Sequence, residues 1–210
     1  MAAFKPKNVY IVGAHCTGKT TLVAALKEYL TASQASLIHD KDTPCPVFID
    51  EVVRGVMQRE GFIASDVKHP TIGPSLQHRT LLTQYCAEKA LEDQWFIADR
   101  SGIDPIVYAS VFLGRDEAEK LAGGPEWKAL RKSMQDAVVF LCGTHHEAWL
   151  SNDPKVRVTV SLEEWRGIGQ GFHDALEGYR IPYVTVPVDV WKVEDRVRHI
   201  ENVLRAKALF

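Results

Sequence analysis

Gly13, Gly18, Lys19 and Thr20 stand in the stretch GAHCTGKT, which directly follows NVYIV. The spacing G-x-x-x-x-G-K-T builds a loop that holds phosphate. Gly13 and Gly18 let the backbone turn tightly and bring its N–H groups against phosphate oxygens. Lys19 supplies a point charge for the β- and γ-phosphates, and Thr20 offers a hydroxyl to Mg²⁺. A helix over about 19–30 then aims its positive N-terminal end at the anion. The expected nucleotide contacts are Gly13, Ala14, His15, Cys16, Thr17, Gly18, Lys19, Thr20 and Thr21.

A second set of residues can do chemistry beside that loop. Asp99 closes the apolar run WFIAD, a place from which a carboxylate reaches Mg²⁺ directly or through water. The metal ligands expected are therefore Thr20 and Asp99. Arg100 can clamp phosphate bidentately. Glu51 can accept a proton from a hydroxyl or position an attacking water. Arg54 lies three residues on, on the same helix face. Glu51 also has a purely structural reading, because acidic residues stabilise helix N-termini.

These side chains converge only if parallel strands carry them. Short apolar runs predict strands over 9–12, 47–50, 95–99, 137–142 and 183–187. Helices are expected over 51–60, 74–94, 104–113, 125–135, 161–179 and 193–208, with loops over 31–46 and 61–73 and an irregular stretch over 144–160. Strands alternating with helices make an α/β fold, a parallel sheet with helices on both faces. In such a sheet ligands bind off the carboxyl ends of the strands. The phosphate loop, Glu51 and the Asp99–Arg100–Ser101 triplet then share one edge.

The chain has 210 residues, enough for one domain over 1–210 with a real core. Apolar content of 46% and charged content of 25% are those of a globular protein. A formal net charge of −2 offers no electrostatic case for nucleic acid or an anionic membrane. Four cysteines without C-x-x-C spacing read as reduced thiols. With no run of membrane-spanning length and no apolar leader, the expected location is the cytoplasm.

GAHCTGKTTL, FIDEVVR and FIADRSGIDPIVY together resemble a family of P-loop ATPases with a kinase-type AAA domain. That family includes the ribosylnicotinamide kinase domain of a bacterial NAD regulator. The chain is similar, more distantly, to deoxynucleoside and thymidylate kinases. The resemblance spans roughly 8–205 and implies a three-layer sandwich with strand order 2-3-1-4-5 and a lid over about 143–172. It implies Glu51 as base toward an acceptor hydroxyl, and Asp99, Arg100 and Ser101 as the group serving metal and phosphates. It also sets a basic lid near 152–157, where Lys155 and Arg157, with Arg166 beyond, are candidates to close over the phosphates. Arg157 joins Glu51, Asp99 and Arg100 as an expected catalytic residue.

Other features carry less chemistry. His145 and His146 lack further metal ligands at suitable spacing. Gln77 and Gln84 could read an acceptor base from one helix face, although solvent-facing glutamines are the plainer reading. Trp149, Trp165 and Trp191 are expected to pack. Gly167, Gly169 and Gly171 read as a flexible or closely packed segment. No N-K-x-D stretch occurs, which favours adenine over guanine. The sequence therefore points to ATP and Mg²⁺ as cofactors and to phosphoryl transfer onto a small hydroxyl acceptor, such as a nucleoside-like metabolite. An NTPase switch or a nucleotide-binding protein without an acceptor stays open. Fold alone does not separate them.

Overall fold

Four consecutive apolar residues build β1 (Val9–Val12), and all four are buried. A strand covered on both faces needs such a run. The structure, a computed structural model, describes residues 6–32, 45–151 and 158–206. Within them the chain continues through α1 (Lys19–Ala32), β2 (Val47–Ile49), α2 (Val52–Glu60), α3 (Gly73–Lys89), β3 (Phe96–Asp99), α4 (Ile103–Phe112), α5 (Arg115–Gly123) and α6 (Pro125–Gln135). Then follow β4 (Val138–Leu141), α7 (Leu162–Gly178), β5 (Tyr183–Thr185) and α8 (Val193–Ala206).

All strand pairs are parallel, and the order is β2-β3-β1-β4-β5, as the resemblance implied. The register sets Ile11 opposite Asp99. Alternate residues of β1 feed opposite cores, as the two-residue period of a strand dictates. Tyr10 and Val12 face the larger core, shared with residues of α3, α4, α6 and α7. Val9 and Ile11 pack with Leu22 and Leu26 of α1 and Ile200 and Leu204 of α8. The result is three layers with the sheet in the middle.

The C-terminal part of the span expected as a lid is core. Val158, Val160, Trp165, Ile168 and Phe172 are all buried. The Ser161 hydroxyl accepts from Glu164 N, and Glu164 accepts from Ser161 N, which starts α7 with a capping box. A Cβ on Gly171 would come 3.2 Å from Val107 Cγ1, so that glycine lets α7 approach α4 closely. Lys155 and Arg157 lie outside the described residues.

Three expectations need correction. The stretch 61–73 is not all loop, because Ala64–Lys68 forms a 3-10 turn that buries Ala64 and Val67. α5 was not expected at all. Gly114 and Gly123–Gly124 bound it, and only Ala118 and Leu121 are buried, so its apolar periodicity is faint. Trp191 does not pack into the core but is 57% exposed.

Candidate active site

The loop between β1 and α1 curls because Gly13, Cys16 and Gly18 take left-handed φ values of +136°, +59° and +76°. Such turns point successive N–H groups into one concavity. A Cβ on Gly13 would collide with the Cys142 carbonyl oxygen, so glycine is required there twice over. Lys19 Nζ donates to the Ala14 carbonyl at 2.5 Å, and the Thr17 hydroxyl donates to the same oxygen at 2.8 Å. Burial, reinforced by repulsion from Arg100, lowers the Lys19 pKa to about 8. His15 N donates to the Tyr108 hydroxyl at 3.0 Å, and His15 Nδ1 lies 2.9 Å from the same oxygen. The Trp165 indole N–H donates to His15 O at 2.6 Å. Side chains of α4 and α7 thus hold the loop from behind.

β2 and β3 deliver the charged residues. Glu51 precedes α2 but does not cap it with its side chain. Its carboxylate turns instead to two arginines. Oε1 accepts from Arg100 Nε at 2.8 Å and lies 2.7 Å from Arg100 Nη2, while Oε2 accepts from Arg54 Nε at 2.5 Å. Burial alone would raise the Glu51 pKa; Arg100 and Arg54 more than reverse this and hold it at about 2. The helix-start reading of Glu51 is therefore not what its side chain does.

Arg100 has φ +84°, an uncommon left-handed value for a non-glycine residue. Its N–H donates to Ile11 O at 3.0 Å, which locks the bend at the end of β3. Arg100 Nη1 also lies 3.1 Å from Asp104 Oδ1. Asp104 in turn accepts from Ser101 N at 2.9 Å and from the Ser101 hydroxyl at 3.3 Å. Ser101 therefore helps build the start of α4.

Asp99 is 2% exposed, and its Oδ1 has no hydrogen-bond partner among the described residues. A buried carboxylate oxygen left unsatisfied calls for a cation or water. Thr20 and Thr21 are exposed at the start of α1. A carboxylate and a hydroxyl are the oxygen donors that suit Mg²⁺, which takes oxygen ligands and keeps several waters. Among the described residues no group of three or more His, Cys, Asp or Glu side chains gathers to hold a metal.

An open cleft of about 880 Å³, its mouth included, lies along this edge. Its lining includes Lys19, Thr20 and Thr21 from the loop and Glu51, Arg54, Arg100 and Asp104 from the charged cluster. Val53, Met57, Ala64, Val67 and Val158 give it an apolar wall, into which Gln77 and Thr80 are set. A much smaller cavity, open to solvent, is lined by His145, His146, Trp149, Pro187, Val190 and Arg196. Arg196 binds the loop carbonyls of Thr17 and Gly18, so the two cavities meet the phosphate loop at different sides.

Of the expected residues, His15, Cys16, Gly18, Lys19, Thr20, Thr21, Glu51 and Arg100 line the cleft, whereas Gly13, Ala14, Thr17 and Asp99 are not part of its lining. Arg166 does not join them; it pairs with Glu147 on the exposed face of α7. Gln77 and Gln84 are buried, not solvent-facing, and only Gln77 lines the cleft. Gln84 donates to Glu88 at 2.8 Å. Asp104, Tyr108 and Arg196 were not singled out from sequence. Asp104 had a local signal, an acid three residues after Ser101 at a helix start. Arg196 had none, because the nearest partners of its guanidinium in sequence are Trp149 and Cys142, and its loop contacts at Thr17 and Gly18 lie 179 and 178 residues away.

A family model described as an AAA domain matches residues 8–196. No curated protein is similar enough in sequence to count as a relative. Among solved structures, a deoxyadenosine kinase from M. mycoides with the products dCMP and dCDP superposes with a TM-score of 0.68 at 12% identity, over 95% of this chain and 99% of that one. NadR protein in complex with NR gives 0.62 at 18% identity, over 97% of this chain but only 49% of that one. Shikimate kinase from Acinetobacter baumannii in complex with shikimate gives 0.53 at 13% identity, over 98% and 96% of the two chains. At such identities the likeness is one of fold.

Proposed function

The chain belongs to the AAA-domain family whose model spans most of its length, and on that premise we propose that it is an ATP- and Mg²⁺-dependent phosphotransferase acting on a small hydroxyl acceptor. The observation that carries this reading is the placement of the Glu51 carboxylate in a cleft shared with Lys19 and Thr20. A protein that only bound nucleotide would need the loop, but not a second, apolar-walled space ending at a carboxylate.

The loop amides and Lys19 hold the triphosphate. Bound to Thr20 and Asp99, Mg²⁺ would supply charge neutralisation for the phosphates. The acceptor hydroxyl lies against Glu51. Its oxygen bonds to the γ-phosphorus, the bond from that phosphorus to the β-phosphate bridging oxygen breaks, and the electron pair leaves with ADP. The hydroxyl proton passes to Glu51. A carboxylate with a pKa of about 2 is a weak base, so the proton moves late, once the bond to phosphorus has acidified the hydroxyl. A loose transition state asks no more than that. Arg100 holds the carboxylate in place, and its charge faces the transferring group.

The cleft also limits the acceptor. Arg100 is committed through Nε and Nη2 to Glu51 and through Nη1 to Asp104, so it offers no free fork to a carboxylate or phosphate, whereas Arg54 meets Glu51 through Nε alone. An apolar wall with one buried amide, Gln77, suits an uncharged, planar, hydrogen-bonding group, as in a nucleoside-like molecule. The test is ADP release from Mg-ATP by the purified chain, with and without neutral nucleosides, ribosylated metabolites and acidic hydroxy compounds. Strong stimulation by a nucleoside-like acceptor is expected. Slow release that no acceptor changes would replace this reading with the NTPase or switch reading.

A further inference from the structure

Arg196 ties together three parts of the chain that are distant in sequence. From the first turn of α8, its Nη1 donates to Thr17 O at 3.1 Å and to Gly18 O at 3.4 Å. Its Nη2 donates to Cys142 Sγ at 2.9 Å, and its guanidinium carbon lies 5.5 Å from the centroid of the Trp149 ring. The residue is 5% exposed, and its Nε has no hydrogen-bond partner among the described residues. Among those residues no carboxylate forms an ion pair with it. A buried cation without a carboxylate partner is unfavourable for folding alone, and an anion bound nearby would offset it.

The geometry of the peptide unit says how. In a planar trans peptide the C=O and N–H point in opposite directions. With the carbonyls of Thr17 and Gly18 turned to Arg196, the N–H groups of Gly18 and Lys19 point away from it. Gly18 and Lys19 line the large cleft, whereas Arg196 lines the smaller cavity. The contact is tight: a Cβ on Gly18 would come 2.5 Å from Arg196 Nη1. Gly18 is favoured by its φ of +76°, which side-chain-bearing residues rarely adopt.

We propose that Arg196 is a positioning residue for phosphate binding: it grips the loop from the side away from the phosphates and aims the Gly18 and Lys19 amides at them. This rests on the reading that the loop holds a nucleotide's phosphates. Arg196 touches no reacting atom. Its effect passes through the backbone of the loop, and its charge adds to the field that the phosphates meet.

The experiment measures the affinity of the purified full chain for Mg-ATP and for inorganic tripolyphosphate, by calorimetry, together with the melting temperature without ligand. Arg196→Met keeps the length and removes the charge and the donors. Arg196→Lys keeps the charge but cannot span two carbonyls and the thiol. Both ligands are expected to bind Arg196→Met more weakly by the same factor, about tenfold or more, with Arg196→Lys between it and the wild type. A purely structural role would lower the melting temperature and leave the affinity of the folded protein unchanged, which would overturn the proposal. Loss of ATP affinity with tripolyphosphate binding intact would also overturn it, by placing Arg196 against the nucleoside. If Arg196→Met fails to fold, Arg196→Lys decides, and wild-type affinity for tripolyphosphate refutes the idea. A wild-type chain that binds neither ligand would instead bring down the nucleotide reading, and this inference with it.

Discussion

Arg100 Nη2 stands 2.7 Å from Glu51 Oε1, although the two residues follow different strands. β2 and β3 are parallel neighbours, so their carboxyl ends bring the pair to one edge of the sheet. The pairing fixes a carboxylate that would otherwise sample several rotamers in an open cleft. It also keeps that carboxylate ionised, with its charge partly offset by the guanidinium.

Replacing Arg100 with lysine therefore removes more than it conserves. A lysine offers one point charge where the guanidinium makes a fork to Glu51 and a further bond to Asp104. Acceptor-dependent turnover of Arg100→Lys is expected to fall about 100-fold, because the carboxylate loses its fixed position and the transferring group loses a charge. ATP affinity is expected to change far less. Steady-state kinetics beside ATP calorimetry check the split, and equal loss in both would place Arg100 on the nucleotide instead.

Much of this site was legible before any coordinates, for reasons that differ by residue. Gly13, Gly18 and Lys19 lie within one short loop, and their spacing encodes its shape. Glu51, Asp99 and Arg100 each follow an apolar run, so a parallel sheet brings them together. The Glu51–Arg100 pair was not legible, because it depends on a left-handed turn at Arg100 that no residue type announces. The burial of Gln77 and Gln84 was missed because polar residues on a long helix are usually exposed. Here α3 packs against α2, α4 and α6, and the face that carries Gln77 and Gln84 is buried while the opposite face meets solvent. Arg196 was invisible because its role depends on α8 packing beneath the phosphate loop.

Lys19 sets a limit on the alkaline side. Its pKa of about 8 in the free protein means that its charge is lost above that pH. The cation is the form that binds a polyphosphate. The dissociation constant for Mg-ATP is therefore expected to be flat from about pH 7 to 7.5 and to rise above about pH 8. Bound phosphates favour the ammonium form, so kcat should hold to a higher pH than kcat/KM. Calorimetry across pH 7–9.5 checks this. Glu51, with a pKa of about 2, adds no acid limb above about pH 4.

Glu88 sits behind the site in the larger core, where its carboxylate accepts from the Tyr10 hydroxyl at 2.6 Å and from Gln84 at 2.8 Å. Burial raises its pKa to about 7, against an ordinary value of 4.5, although the bonds from Tyr10 and Gln84 pull the other way. The folded state thus holds a proton that the unfolded state has released, between about pH 4.5 and pH 7. The associated stability is present below that window and is lost as pH rises through about 7. The expected size is about 2–3 kcal/mol. Denaturant titrations at pH 5 and pH 8 should show the wild type weakening by that order and Glu88→Gln weakening much less. Equal pH dependence in both proteins would remove Glu88 as the cause.

The central claim is that Glu51 receives the acceptor hydroxyl beside a nucleotide held by the loop. The measurement that tests it most directly is acceptor-stimulated ADP release from Mg-ATP by wild type and Glu51→Gln, with ATP affinity determined on both. The account predicts transfer reduced at least 100-fold in the variant, with ATP affinity within a few-fold of wild type. Transfer that survives in Glu51→Gln, or that falls only in proportion to ATP affinity, would contradict it.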